Sequence, residues 1–438
     1  MRNIEIDDAL SEARSSYAAK RPQSFAIHAE AVQHLPGGNT RTVLFHGPFP
    51  FRAARGEGAL LYDHDGHALV NLLGEYTAGV FGHSHPAIVR ALHRAIDGGL
   101  NLGANTQTEA EFARQVVARF PAMERVRFTN SGTEANLLAI ATARYATGRD
   151  KVMVFAGGYH GGVLYFGGGG SPINAPFHYL TAPFNDGEAA CAMIRQAGDS
   201  LACVIVEPML GASGALPAAD GFLRALREAT LETGALLIFD EVMTSRFGRS
   251  GAGALHGVRP DLMTLGKWVG GGMSFGAFGG AAHLMDLYDP ARADALPHAG
   301  TFNNNTLTMH AGIAALSEAF TPDIAEDLHR RGEVLRERLN GICRSADVAL
   351  SFTGEGSLLA LHGTARPIRT PRDLIHSDDR LKELVFFDLL DRGYYIARRG
   401  FMALSVALTD AQLNGFADAF QDIVAVRQPM LSPLASAA

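Results

Sequence analysis

Residues 235–267 read ALLIFDEVMTSRFGRSGAGALHGVRPDLMTLGK, two short apolar runs that each end on a single charged residue, Asp240 and Lys267. Runs of this length that are apolar at every position predict strands buried on both faces. Working outward, the same cadence recurs in RVRFTN (125–130), KVMVFAG (151–157), LACVIVEP (201–208) and FGAFGGA (275–281), with helical periodicity between them. That alternation predicts an α/β fold in which helices cover both faces of a mainly parallel sheet. It fades near residue 285, and later segments such as the helical 324–344 and the strand pair YYIAR and FMALSVAL predict a smaller α+β lobe. The expected domains are a large one over 65–310, a small C-terminal one over 320–438, and an N-terminal segment 1–64 that packs with the small lobe. A hairpin is expected where ALLYD and HALVN flank Asp65-Gly66.

A chain of 438 residues with 47% hydrophobic and only 19% charged residues has enough apolar material for more than one core, which excludes a disordered or low-complexity protein. Its net charge of -7 offers no general footprint for nucleic acid or an anionic membrane. Cys191, Cys203 and Cys343 form no CxxC pair, which fits a reducing cytoplasm better than a disulfide scaffold. The N-terminus lacks the apolar core of a signal peptide, and no stretch is long and apolar enough to span a bilayer. His83 and His85 lack a third ligand at metal-site spacing, so no metal centre is expected.

In an open parallel sheet ligands collect at the carboxyl ends of the strands. There RVRFTN opens into Ser131-Gly132-Thr133-Glu134, a small-residue loop feeding a helix. Unpaired amides and the helix dipole make such a terminus an anion site, although the same residues also read as an ordinary cap. Asp240 is costly at the end of a buried strand unless a cation or several donors compensate it. Lys267, between an apolar strand and the run Gly270-Gly271-Gly272, is expected to point into the strand-end crevice, where desolvation makes an amine nucleophilic. Tyr159 and His160 in GGYHGG add an aromatic face, Val242 follows Asp240 by two residues, and Glu207 is a further strand-end carboxylate whose role the residues leave open. An anion cup, a carboxylate and a buried lysine at three strand ends are together what pyridoxal phosphate requires.

The ordered motifs LPGGNTR, GEGALLYDHDGH, GHSHP, FTNSGTEAN, GGYHG, VEPM, FDEVMTSR, TLGKWVGGGMSFGAFGG, GTFNNN and RRGF resemble those of class III (subgroup II) aminotransferases of fold type I, over about Leu35 to Phe416. The resemblance is nearest to β-amino-acid (β-phenylalanine type) aminotransferases and glutamate-1-semialdehyde 2,1-aminomutases. It implies Lys267 as the Schiff-base lysine, Asp240 as partner of the pyridinium nitrogen, Ser131, Gly132 and Thr133 as the phosphate cup, and Tyr159 and Val242 on the two ring faces. It also implies a homodimer with shared sites, in which Thr301 reaches the phosphate of the neighbouring subunit.

Two reactions remain open on this resemblance: transfer of an amino group from a β-amino acid to a keto acid, or the intramolecular transfer of an aminomutase. Arg41 resembles the residue that holds the carboxylate of a β-amino acid, a task suited to a guanidinium fork. Arg398 and Arg399 stand where aminomutases read E-A-G-F, and Arg399 resembles a movable arginine for a keto-acid carboxylate; both also read as solvated surface charges. Val43, Phe45, Tyr76 and Met402 are the expected apolar pocket.

Overall fold

The computed structural model describes residues 2–432. Strands β1 (Ala53–Glu57), β2 (Leu60–Asp63) and β3 (Ala68–Asn71) form an antiparallel meander, with the expected turn at Asp65-Gly66 between the last two. The large sheet contains β4 (Arg125–Thr129), β5 (Lys151–Phe155), β6 (His178–Ala182), β7 (Leu201–Val206), β8 (Leu236–Asp240), β9 (Leu262–Gly266) and β10 (Gly276–Gly280). Their spatial order is β4-β10-β9-β8-β7-β5-β6. Only β10 runs against its neighbours, so the mainly parallel sheet is present with one reversed strand.

Every residue of β7, β9 and β10 is buried, as uniformly apolar strands between two helical layers require. Helix α1 (Gly132–Thr147) lies on one face, where Ala135, Ala139, Ile140 and Ala143 pack with Ile205, Ile238 and Phe278. The other face packs Val204, Leu237 and Phe239 with Leu223 and Leu226 of α2 (Phe222–Thr233). Thr147 is followed by Gly148 at φ 67, which ends α1 in the left-handed conformation.

A separate three-stranded sheet consists of β11 (Ser351–Glu355), β12 (Leu358–His362) and β14 (Phe401–Ala403), in the order β11-β12-β14. The intervening two-residue strand β13 (Tyr394–Tyr395) leaves this sheet and pairs parallel with β3, becoming the fourth strand of the N-terminal meander. The two ends of the chain are therefore joined in one sheet. Among the described residues no helix is long and apolar enough to cross a membrane.

Candidate active site

The carboxyl ends of β4, β5, β7, β8 and β9 lie along one edge of the large sheet, and the chain leaves that edge at Asn130, Ala156, Glu207, Glu241 and Lys267. A cavity of about 410 Å3 opens there, lined among others by Arg41, Glu75, Tyr76, Ser131, Gly132, Thr133, Tyr159, Glu207, Asp240, Val242 and Lys267. Residues more than two hundred positions apart in the chain thus share one space.

Asp240 is buried at 4% exposure and is held from several sides. Asn136 Nδ2 donates to Oδ2 at 2.8 Å, and the ring of His160 meets the same oxygen through Nδ1 at 2.8 Å. The amide of Val242 donates to Oδ1 at 3.0 Å. Asn136 is itself fixed: its Nδ2 also donates to the His160 carbonyl, and its Oδ1 accepts from Thr264 Oγ1 at 2.6 Å on the adjoining strand. Charge-assisted bonds of this kind offset the cost of burying a carboxylate.

Glu207, the carboxylate without an assigned role in the sequence, is a brace between loops. Its Oε1 accepts from the Tyr159 amide at 2.7 Å and its Oε2 from the Gly211 amide at 3.1 Å. Burial raises its pKa to about 7 even though both amides favour the ionised form. Through its backbone this brace sets the position of Tyr159, a residue that is 43% exposed and lines the cavity.

Lys267 has φ 55, a left-handed conformation that a β-carbon disfavours. Such strain costs of order ~1–3 kcal/mol and persists only where surrounding packing dictates it. Here Trp268 is fully buried, with its indole donating to Ser245 Oγ at 2.9 Å, which fixes the chain immediately after the lysine. Burial lowers the pKa of Lys267 to about 8, with Asp240 and Glu207 opposing the shift. Its ammonium has no hydrogen bond or ion pair among the described residues.

At the start of α1, Ser131 is both cap and cavity wall. Its Oγ accepts from the Glu134 amide at 3.2 Å, while Glu134 Oε2 takes the Asn130 amide at 2.9 Å. This is the ordinary cap that the sequence also allowed, and it leaves the amides of Gly132 and Thr133 and the Thr133 hydroxyl without partners among the described residues. A β-carbon on Gly132 would come 2.8 Å from a Val242 methyl, so only glycine lets Val242 lie across the helix start. At Gly161, φ +127, a β-carbon would strike Thr133 Oγ1 at 2.2 Å, which keeps that hydroxyl at the loop. Free amide and hydroxyl donors, a braced carboxylate and an unpaired low-pKa amine fit pyridoxal phosphate by their chemistry.

Two arginines approach the ring of Tyr76, and one of them, Arg41, lines the cavity. Arg41 forms an ion pair with Glu75, and its guanidinium stands 5.8 Å from the centroid of the Tyr76 ring. Arg399 stands 5.0 Å from the same centroid and 5.6 Å from that of Phe401. It therefore touches the wall at Tyr76 rather than lining the cavity itself. Its Nη1 reaches only the Ala212 carbonyl at 3.4 Å, and its Nε is buried without a partner. Arg398 is committed elsewhere, to Glu383 at 3.0 Å, a carboxylate that Arg14 shares.

The apolar pocket expected from the sequence is only partly assembled. Tyr76 lines the cavity, stacks on Phe401 at 5.6 Å and donates its hydroxyl to the Val43 carbonyl at 3.0 Å. Val43 and Phe45 are half-exposed and lie outside the cavity lining. Met402 is fully buried in the main core, because alternation along β14 turns Phe401 towards Tyr76 and its neighbour the other way. Thr301 lines a separate recess with Asn101 and Asn304. The sequence reading missed Asn136 and Thr264 altogether, and saw His160 only as an aromatic neighbour; the available signal was a polar residue on the core-facing side of α1.

Fold and site define a transferase of fold type I that works with pyridoxal phosphate. Residues 45–424 match the family model Aminotransferase class-III, and the chain belongs to that family. The β-phenylalanine transaminase of Variovorax paradoxus is 49% identical over 424 residues, spanning 97% of this chain and 98% of that one. A solved β-phenylalanine aminotransferase from the same organism has a TM-score of 0.96 at 48% identity, covering 98% of this chain and 100% of that one. A glutamate-1-semialdehyde 2,1-aminomutase of Methanothermobacter thermautotrophicus is 38% identical, over 85% of this chain and 91% of its own length.

Proposed function

We propose that this aminotransferase moves the amino group of an aromatic or aliphatic β-amino acid to an α-keto acid such as 2-oxoglutarate or pyruvate. The observation that carries the reading is the presence of Arg41, a carboxylate-binding group, in the same cavity as Lys267 and Asp240. The near-full-length likeness to a β-phenylalanine transaminase supports the same donor.

In this reading Asp240 takes the ring nitrogen of pyridoxal phosphate. The Gly132 and Thr133 amides, with the Ser131 and Thr133 hydroxyls, take its phosphate, and Tyr159 and Val242 cover the two ring faces. When bound, the cofactor would supply an electron-withdrawing ring as a sink for the electron pair of the carbon that loses its proton. Lys267, whose pKa burial lowers to about 8, would remove the proton from the amine-bearing carbon through Nζ and return it later in the cycle. Asn136 and His160 keep the Asp240 carboxylate in one orientation, and Glu207 holds Tyr159 over the ring. Arg41 receives the carboxylate of the β-amino acid, and Arg399 that of the keto acid. Each substrate leaves the other arginine idle.

The same reading places the protein in the cytoplasm as a homodimer, with Thr301 of one subunit at the phosphate of the other. It divides the chain into a large domain over 65–310 and a small one over 320–438 that recruits residues 1–64; the ion pairs of Arg14 with Glu383 and of Lys20 with Asp391 support that recruitment. The test offers the purified enzyme β-phenylalanine with 2-oxoglutarate, and separately glutamate-1-semialdehyde. Glutamate formed in the first mixture is the expected result. Formation of 5-aminolevulinate in the second, without glutamate in the first, overturns the proposal in favour of an aminomutase.

A further inference from the structure

We propose that Glu75 is an internal competitor for Arg41, a carboxylate of the protein's own that occupies the guanidinium until a substrate carboxylate displaces it. The inference rests on Arg41 being the β-amino-acid carboxylate site and adds how access to that site is set.

Three observations carry it. Arg41 and Glu75 both line the cavity, and the carboxylate that Arg41 holds here is that of Glu75. Both side chains are about half-exposed, 44% and 53%, so the pair is solvated and exchangeable rather than a locked structural bridge. Glu75, Tyr76 and Thr77 form a run of non-glycine residues at φ 51, 49 and 83. Such conformations survive only where packing over-determines them. The packing here is on the Tyr76 side: its ring stacks on Phe401 and its hydroxyl is bonded to the Val43 carbonyl two residues beyond Arg41. Tyr76 therefore fixes the distance between the two segments, and Glu75 is presented to Arg41 as a consequence.

Arg399 supplies the contrast. It lies against the same tyrosine with no carboxylate partner, its Nη1 on a carbonyl and its Nε unpaired. An arginine left unpaired binds an incoming carboxylate directly, whereas a paired one binds by exchange and with lower apparent affinity. Glu75 thus weakens the donor side selectively. A weaker hold on the donor carboxylate eases its exit when the keto acid must enter.

The test measures equilibrium binding of 3-phenylpropanoate, which has a carboxylate and no amine, to the holoenzyme by calorimetry. Glu75→Gln keeps the shape of the side chain and removes its charge, and should tighten binding about two- to five-fold, the range of an exposed ion pair. Arg41→Ala should weaken binding by about ten-fold or more, and the double variant should match Arg41→Ala alone. Glu75→Asp, which keeps the charge but withdraws it by one methylene, provides a second variant and should also tighten binding. Unchanged or weaker binding in both Glu75 variants, with Arg41→Ala still impaired, overturns the competitor and leaves Arg41 as the carboxylate site. Full affinity in Arg41→Ala removes the underlying reading itself.

Discussion

The two walls of the cavity are built on opposite principles. On the sheet side Asp240 is buried and bonded to Asn136, His160 and the Val242 amide, and Asn136 is itself fixed by the His160 carbonyl and Thr264. Elsewhere in the lining Arg41 and Glu75 are half-exposed and ion-paired with each other, Glu75 on a segment in left-handed backbone. The first arrangement suits a group that must hold one geometry through every turnover. The second suits a site that must accept two different substrates in alternation and release both. Rigidity is placed where the chemistry is constant, and exchangeability where the ligand changes.

Substitutions on the sheet side should have the largest effects. Lys267→Ala should reduce turnover by at least about 10³-fold, since on the proposed reading both the covalent anchor and the proton carrier are lost; near-native rates would break the assignment. Asp240→Asn should slow the enzyme by about 10²–10³-fold with cofactor still bound, followed by absorbance and initial rates together. Asn136→Ala removes one of the bonds to Asp240 and leaves Thr264 Oγ1 and the His160 carbonyl each without a partner, so it should cost about 1–3 kcal/mol of stability by denaturant titration, with kcat falling more than KM rises. If KM alone responded, the contrast between the walls would fail.

Smaller, substrate-specific effects are expected opposite. Arg41→Ala should raise KM for the β-amino acid about ten-fold with little change for the keto acid, and Arg399→Ala the reverse. Equal effects of both variants on both substrates would erase the division between the arginines. The smallest signal is a pH dependence. An amine held at about 8 is increasingly neutral, and so increasingly reactive, as pH rises through that value. Acylation of Lys267 in the cofactor-free protein, followed by mass spectrometry, should therefore level off above about pH 8, while surface lysines continue to gain up to about 10.4.

How much of this was legible from the chain depended on the range of the interaction. Asp240 and Lys267 stood out because each is a single charge at the end of an apolar run, a local signal that needs no partner to be read. The sheet followed from the same runs, apart from the reversal of β10, since strand direction leaves no mark in composition. The grip on Asp240 was hidden because Asn136 lies 104 residues away and His160 80 residues away, and nothing local links them. The Arg41–Glu75 pair was hidden for the same reason. The Met402 error was one of register: a one-residue step along β14 exchanges cavity side for core.

The ladder between β3 and β13 ties a strand near the beginning of the chain to one near its end. Lys267, Asp240 and the anion cup all precede residue 281 and belong to a sheet whose strands are complete by then. Arg399 arrives more than a hundred residues later, and the N-terminal meander beside Arg41 waits for its fourth strand until that point. During synthesis the sheet that carries Asp240 and Lys267 is thus complete first, and the side that brings Arg41 and Arg399 to Tyr76 is finished last, from segments that flank that sheet in the sequence.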